Sequence, residues 1–235
     1  MHTTGHRRAV ALVAAVVVLV LATVLANRVL PGWAYPLNGL VATACLLALA
    51  RWAGLGLAEV GLDRRHVRRA ALVGVGGVVV VGAVFGIALL VPAWREVFHD
   101  GRVDASGPGA LLWVVLVRIP LGTVLLEEVA FRGVLPALLG AGERWRWGPV
   151  ALASALFGLW HILPSLALRQ NAAVDALFGD APVLVTVVAA VVASALAGVG
   201  LHWCRHVGRG VLAPVLVHLA TNCGGVLVAW WVLHA

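Results

Sequence analysis

Long apolar stretches separated by short charged segments run through the whole chain. They cover residues 9–26, 37–52, 70–91, 110–139, 150–163, 182–204 and 211–234. Most of them approach the roughly 20 apolar residues that a helix needs to cross a lipid bilayer. The pattern predicts an all-α, polytopic transmembrane helix bundle of about seven helices. An eighth helix would form if Gly224 and Gly225 broke the last stretch.

The amino-acid composition supports a membrane setting. Of the 235 residues, 62% are hydrophobic and 11% are charged, and the mean hydropathy is +1.01. A soluble domain of this length cannot bury so much apolar surface. We therefore expect an integral, multi-pass membrane protein whose surroundings are the lipid bilayer.

The net charge of +7 comes from 17 basic residues, all of them arginine. Most lie between the apolar stretches, which is typical of cytoplasmic anchoring and gives no indication of a nucleic-acid partner. The segment 51–69 is the most basic, so we place it and the N-terminus in the cytoplasm of a bacterial cell, with the helices in the plasma membrane. We expect the first stretch to be retained as a helix and not removed as a signal peptide. In the third stretch, Gly82 and Gly86 predict a close approach of another helix.

Ionisable and amide side chains inside membrane helices are costly, and their default interpretation is functional. The last four stretches contain Arg118, Glu127, Glu128, Arg132, His161, His202, His218 and Asn222. Arg118 can extend towards the membrane surface, and a role in substrate binding is left open.

The adjacent acids Glu127 and Glu128 are predicted to have different roles. Glu128 and Arg132 are four residues apart, so they share a helix face and can form an ion pair. Glu127 points about 100° away from Glu128 around the helix. It has no partner on its own helix and must find one elsewhere, which makes it the candidate general base.

Two further pairs with the same spacing follow in separate stretches. Phe157 and His161 are four residues apart, and so are His218 and Asn222. We expect Glu127, the two histidines and the asparagine to meet in one polar cavity. There Glu127 and His161 could activate a water molecule, while His218 and Asn222 could donate hydrogen bonds to an oxyanion. Peptide hydrolysis without a covalent intermediate is the simplest reaction that these groups support.

The segments "EEVAFRG", "FGLWH" and "HLATN" resemble, in order, the EExxxR, FxxxH and HxxxN motifs of the CPBP family. That family comprises the type II CAAX prenyl endopeptidases and their bacterial relatives, also called Abi proteins. The resemblance covers residues 111–231. It implies an N-terminal part, residues 1–109, of extra helices with a basic cytoplasmic loop, and a catalytic transmembrane core at residues 110–235.

The resemblance implies intramembrane proteolysis with a glutamate. Glu127 and His161 would activate the water, and His218 and Asn222 would stabilise the oxyanion. Glu128 completes the catalytic set, and Arg132 and Phe157 support it. The expected substrate is a membrane-associated protein or peptide, CAAX-like or lipidated, although the resemblance fixes the reaction better than the substrate.

Alternative functions remain open at this point. Glu127, His161 and His218 are a plausible zinc set by ligand type, which would make the protein a metalloprotease, but there is no HExxH motif and we expect no cofactor. The three scattered cysteines form no CxxC pair. The chain could also act without catalysis, as a membrane scaffold or a bacteriocin-immunity factor. Transport of ions or protons is a fourth, weaker alternative.

Overall fold

Seven long helices make up most of the computed structural model, which describes residues 2–103 and 107–235. The described residues contain no strand, only an isolated antiparallel bridge between Asp100 and Asn171. The long helices are α1 His2–Val24, α2 Tyr35–Trp52, α3 Val67–Leu90, α4 Pro108–Leu138, α5 Trp147–Trp160, α6 Val183–Gly208 and α7 Leu212–His234. Short helical turns occupy Leu25–Val29, Gly32–Ala34, Arg64–His66, Pro92–Arg95, Glu96–Phe98, Gly101–Val103, Ile162–Ser165, Leu168–Gln170 and Ala172–Phe178.

Six of the long helices are long and apolar enough to cross a membrane, and α5 makes a seventh with the turns that follow it at a bend of 42°. Helix α7 continues through Gly224 and Gly225 without a break, so no eighth segment forms there. The all-α polytopic bundle predicted from the sequence is therefore confirmed. The segment 92–109, between the third and fourth apolar stretches, lies partly outside the described residues, at positions 104–106.

Arginines gather at one end of the bundle, where α1 begins. Arg8 pairs with Glu59 at 3.4 Å, and Arg205 donates to the Glu59 carbonyl at 3.4 Å. Arg69 donates to the Val207 carbonyl at 2.6 Å. These contacts join the loop after α2 to α1 and α6, and the start of α3 to the end of α6. At the other end, the loops after α3 and α5 meet through the Asp100–Asn171 bridge.

Large apolar side chains cover much of the outer surface of the helices. Leu72, Val79 and Leu196, for example, are all largely exposed. Such a continuous apolar exterior suits lipid and not water. Together with the number of spanning helices, it describes a multi-pass integral membrane protein.

Close backbone contacts at glycine hold helix pairs together. A β-carbon on Gly39 of α2 would lie 2.7 Å from the Cα atom of Gly122 on α4, so only glycine fits at this crossing. The prediction for Gly82 and Gly86 is wrong, because a β-carbon on either would meet nothing within 4 Å. Helix α3 packs against α7 through other residues, with Gly74 against Leu216 and Phe85 against Gly224.

Helix α4 departs from regular α-helical geometry twice. Residues Val114–Val124 and Val129–Val134 form wider π-helical turns, with the regular turn Leu125–Glu128 between them. Pro120 lies in the first wide segment, where its missing N–H removes one backbone hydrogen bond. Wide turns of this kind occur frequently at functional sites, and here they flank the two acids.

The first helices and the later ones share one hydrophobic core. Ala11 of α1 and Leu46 of α2 belong to the same buried cluster as Phe131 and Leu135 of α4. The division into residues 1–109 and 110–235 stays a prediction.

Candidate active site

Three charged side chains of α4 lie in the interior of the bundle. Glu127, Glu128 and Arg132 are only 2%, 0% and 1% exposed. Arg132 donates from Nη1 to Glu128 Oε1 at 3.0 Å, which is the ion pair expected from their spacing. Because a charge without a partner is very costly to bury, this pair lets α4 carry an acid through the core.

His218 of α7 connects the two acids. Its Nδ1 lies 2.6 Å from Glu128 Oε1, and its Nε2 lies 3.9 Å from Glu127 Oε2. On the same helix, Asn222 Nδ2 is 3.2 Å from His218 Nε2. An ionised Glu128 can only accept a hydrogen bond, so His218 carries a proton on Nδ1. Glu128 therefore fixes both the orientation and the tautomer of this imidazole.

The hydrogen-bond donor to Glu127 lies on a different helix. Trp160, the last residue of α5, donates from its indole Nε1 to Glu127 Oε1 at 2.9 Å. The other oxygen, Oε2, is buried and has no hydrogen-bond partner among the described residues. One oxygen of this carboxylate is thus held in place, while the second is the acceptor closest to His218 Nε2.

His161 is placed beside this group without a hydrogen bond to either acid. Its Nδ1 lies 2.8 Å from the Phe157 carbonyl, and this contact assigns the ring proton to Nδ1 and leaves Nε2 as an acceptor. It is the residue at the break between Trp160 and Ile162, where the helical axis bends by 42°. The sequence predicts that Glu127 and His161 activate one water molecule together; in the structure, the residue of this segment that contacts Glu127 directly is Trp160.

The aromatic ring of Phe157 is the contact that joins His161 to the rest of the group. The His161 ring packs edge-on at a centroid distance of 4.7 Å, and the His218 ring lies at 6.2 Å. The Arg132 guanidinium lies 3.9 Å from the centroid of the same ring. A cation over an aromatic face is stabilised electrostatically, so Phe157 helps to hold both Arg132 and the histidines.

A cavity of about 660 Å³ reaches Asn222 from the end of the bundle opposite the arginines. Its described lining includes Thr221 and Asn222 of α7, together with loop residues Asp100 and Asn171. Glu127, His161 and His218 are not among the described residues that line it. The sequence predicts one cavity shared by all four polar residues. The structure places Asn222 at the cavity, His218 in contact with Asn222, and Glu127 Oε2 at 3.9 Å from His218 Nε2.

The residues that would bind zinc in a metalloprotease do not form a cluster. Within residues 2–103 and 107–235, no three His, Cys, Asp or Glu side chains lie together as potential metal ligands. In this set, Glu127 Oε2 lies 3.9 Å from His218 Nε2. The His161 ring packs against Phe157, which lies between it and the other two residues. Glu128 and His218 Nδ1 already bind each other, which leaves a poor donor set for a cation.

Two contacts at the site are not predicted from the sequence: the hydrogen bond from Trp160 to Glu127 and the one between His218 and Glu128. The contact of Trp160 with Glu127 could have been predicted, because an indole N–H inside a membrane needs an acceptor and the sequence leaves Glu127 without a donor.

Residues 109–224 match the family of type II CAAX prenyl endopeptidases described as Rce1-like. This region is an Rce1-like protease domain. The Rce1-like region begins at the start of α4, includes every residue of the three motifs and ends inside α7. No curated protein and no solved structure gives a significant match to the chain. At the level of the family, this match supports a CAAX-type protease, and the family implies a membrane-associated peptide substrate.

Proposed function

We propose that the protein is an intramembrane endopeptidase that hydrolyses a peptide bond of a membrane-associated protein or peptide with a water molecule activated by Glu127. The observation that carries this proposal is the environment of Glu127. Trp160 fixes one oxygen, and the other is buried 3.9 Å from His218 Nε2 without a hydrogen-bond partner among the described residues. A carboxylate held in this way can take a proton from water as the water attacks a carbonyl carbon.

The proposed oxyanion donors are His218 and Asn222. As the tetrahedral intermediate forms, its oxygen becomes negatively charged and is stabilised by fixed N–H groups in a site of low dielectric constant. Asn222 Nδ2 has a second N–H besides the one directed at His218. His218 can donate from Nε2 only in its doubly protonated form, in which Nε2 no longer accepts from Asn222 while Glu128 still accepts from Nδ1 at 2.6 Å.

The remaining steps return the proton to the leaving group. Glu127 Oε2 takes a proton from the attacking water and passes it to the amide nitrogen as the C–N bond breaks. The products are a carboxylate and an amine, so no covalent enzyme intermediate is needed. We assign His161 to holding the attacking water through its free Nε2, and Arg132 and Phe157 to positioning.

The proposed reaction requires no metal ion. Arg132 and His218 supply the positive and polar groups that a metal would otherwise provide. The residues that would be zinc ligands bind other partners: Glu127 accepts from Trp160, His218 contacts Glu128, and His161 contacts the Phe157 carbonyl.

The proposed orientation places the N-terminus in the cytoplasm and the protein in the bacterial plasma membrane. It is supported by the arginine-rich end formed by Arg8, Arg69 and Arg205, since positive residues collect on the cytoplasmic side. In this orientation the cavity beside Asn222 extends towards the outer surface of the membrane.

The test is a comparison of peptides in membranes that contain either the unaltered protein or the Glu127→Gln variant. We expect a cleavage product that disappears in the variant, because the amide cannot act as a base. Catalysis by a positioned base contributes about 10²–10⁴-fold to the rate. Glu143→Gln changes an exposed loop acid and serves as the matched control. Identical peptide profiles in all three membranes would refute the proposal in favour of a scaffold or immunity factor.

A further inference from the structure

A second cavity lies at the arginine-rich end of the bundle and is separate from the one beside Asn222. It is lined by the last turns of α4 and α6, the start of α5 and the loop between α4 and α5. Its volume of about 20 Å³ has room for one water-sized group, whereas whole ligands need about 300–1,000 Å³. This cavity can therefore receive only the end of a ligand whose remainder stays outside.

The polar lining of this second cavity is mostly basic. Five basic side chains line it: Arg132, Arg144, His202, Arg205 and His206. Glu143 also lines it, but this acid is exposed at the rim, as is Arg144. Clustered positive charge around a small space of low dielectric constant attracts an anion. We call this space the basic cavity.

Buried nitrogen atoms around the basic cavity lack acceptors. Nε and Nη2 of Arg132, Nε of Arg205 and Nε2 of His202 are buried and have no hydrogen-bond partner among the described residues. Guanidinium nitrogens can only donate, and His202 Nε2 donates when it carries the ring proton. Glu128 accepts only from Nη1 of Arg132. Because a buried donor without an acceptor is costly, these groups favour a ligand with several acceptor oxygens.

Tryptophans beside the basic cavity indicate that this ligand belongs to the membrane. Trp145 lines the cavity and packs edge-on against Trp147 and Trp203, at centroid distances of 5.0 and 6.1 Å. Trp147 and Trp203 are 66% and 59% exposed on the outer surface. Tryptophan collects at the level of the lipid headgroups, so the basic cavity opens where lipid phosphates lie. Basic pockets between membrane helices on the cytoplasmic side bind anionic headgroups.

We propose that the basic cavity binds the phosphate of an anionic phospholipid, such as phosphatidylglycerol, from the leaflet at the arginine-rich end. A phosphate oxygen enters among Arg132, His202 and Arg205, and the rest of the headgroup stays at the rim near Arg144. The inference does not depend on the proposed protease activity. Arg132 also pairs with Glu128, so the bound phosphate would contact the guanidinium that holds the candidate active site.

The test is a calorimetric titration of the full-length protein in an uncharged detergent. The probes are dioctanoyl-phosphatidylglycerol, dioctanoyl-phosphatidylcholine, whose choline group neutralises its phosphate, and inorganic phosphate. Charge-assisted hydrogen bonds predict that phosphatidylglycerol binds at least about tenfold more tightly than phosphatidylcholine. Arg205→Gln should remove most of this preference, and Arg144→Gln should weaken phosphatidylglycerol binding about two- to fivefold, as for an exposed pair. Arg51→Gln, which changes an exposed arginine at the same end but outside the cavity, should have no effect.

Several results would overturn the inference. Equal affinity for the two lipids would do so, as would a preference that persists in both Arg144→Gln and Arg205→Gln, or one that Arg51→Gln weakens as much as Arg144→Gln. Binding of inorganic phosphate that depends on Arg205, without a preference for phosphatidylglycerol, would assign the basic cavity to a soluble anion and refute the lipid site. If the buried substitution Arg205→Gln prevents folding, the comparison of the exposed substitutions Arg144→Gln and Arg51→Gln decides the outcome.

Discussion

Glutamine substitutions at the two adjacent acids should affect stability differently: Glu128→Gln should lower it, and Glu127→Gln should leave it nearly unchanged. Glu128 is fully buried and accepts hydrogen bonds from both Arg132 and His218, at 3.0 and 2.6 Å. Glu128→Gln keeps the shape of the side chain and removes its charge, which leaves the Arg132 guanidinium buried without a counterion. Breaking one partner out of a buried ion pair costs about 3–5 kcal/mol. For a chain of this size, that corresponds to a fall in melting temperature on the order of 10 °C.

Glu127→Gln should leave stability nearly unchanged. Among the described residues, the hydrogen bond to Glu127 comes from the Trp160 indole, and the amide oxygen of glutamine can accept it equally well. The substitution also removes one of two neighbouring negative charges from a region of low dielectric constant. We expect a change of less than about 1 kcal/mol in the free energy of unfolding, together with a loss of cleavage of about 10²–10⁴-fold.

The assay is thermal unfolding of the purified proteins in one detergent, combined with the peptide comparison in membranes. Glu143→Gln controls for the effect of the substitution itself at an exposed position. If Glu127→Gln and Glu128→Gln lower the melting temperature equally, or if Glu128→Gln leaves it unchanged, the division of roles between the two acids is wrong.

Three further predictions follow from the site and the orientation. Trp160→Phe keeps an aromatic ring but removes the indole N–H that donates to Glu127. It should reduce cleavage about 10- to 100-fold, since a hydrogen bond to a charged group contributes about 1.5–3 kcal/mol. Trp231→Phe on the lipid-facing surface should not reduce cleavage, and equal effects of the two substitutions would argue against positioning by Trp160. Cleavage should survive chelation and the removal of metal verified by elemental analysis, whereas loss of activity that zinc restores would favour the metalloprotease. In intact cells, a membrane-impermeant thiol reagent should label Asp175→Cys but not Arg144→Cys, and the reverse result would invert the proposed orientation.

The spacing of residues in the sequence predicted the features that lie within a single helix. The apolar stretches correspond to the observed helices, and residues four apart on one helix are in contact in the Glu128–Arg132 and His218–Asn222 pairs. A regular helix has the same internal geometry wherever it is placed, so such contacts can be derived before the fold is known. The roles assigned to these residues stay predictions.

Contacts between helices could not be derived in the same way. The pairing of Trp160 with Glu127 depends on how α5 crosses α4, and the failed prediction for Gly82 and Gly86 depends on where α7 meets α3. No sequence spacing fixes a crossing point, which is set by the packing of whole helix faces. The wide turns of α4 were also missed. A proline signals a disturbed helix, but it does not determine how the freed backbone groups are paired again.

The helices that precede the Rce1-like region are part of the site and not a separate appendage. Gly39 of α2 allows the backbone of α4 to approach at Gly122, one wide turn before the two acids. Tyr35 of the same helix lines the cavity and stacks on Arg118. The position of α4 beside the cavity therefore depends on α2. The family match is confined to residues 109–224 and defines the chemical groups, whereas residues outside it shape the space in which a substrate would lie. Differences in substrate between related proteins can then arise in the N-terminal helices while the three motifs stay the same.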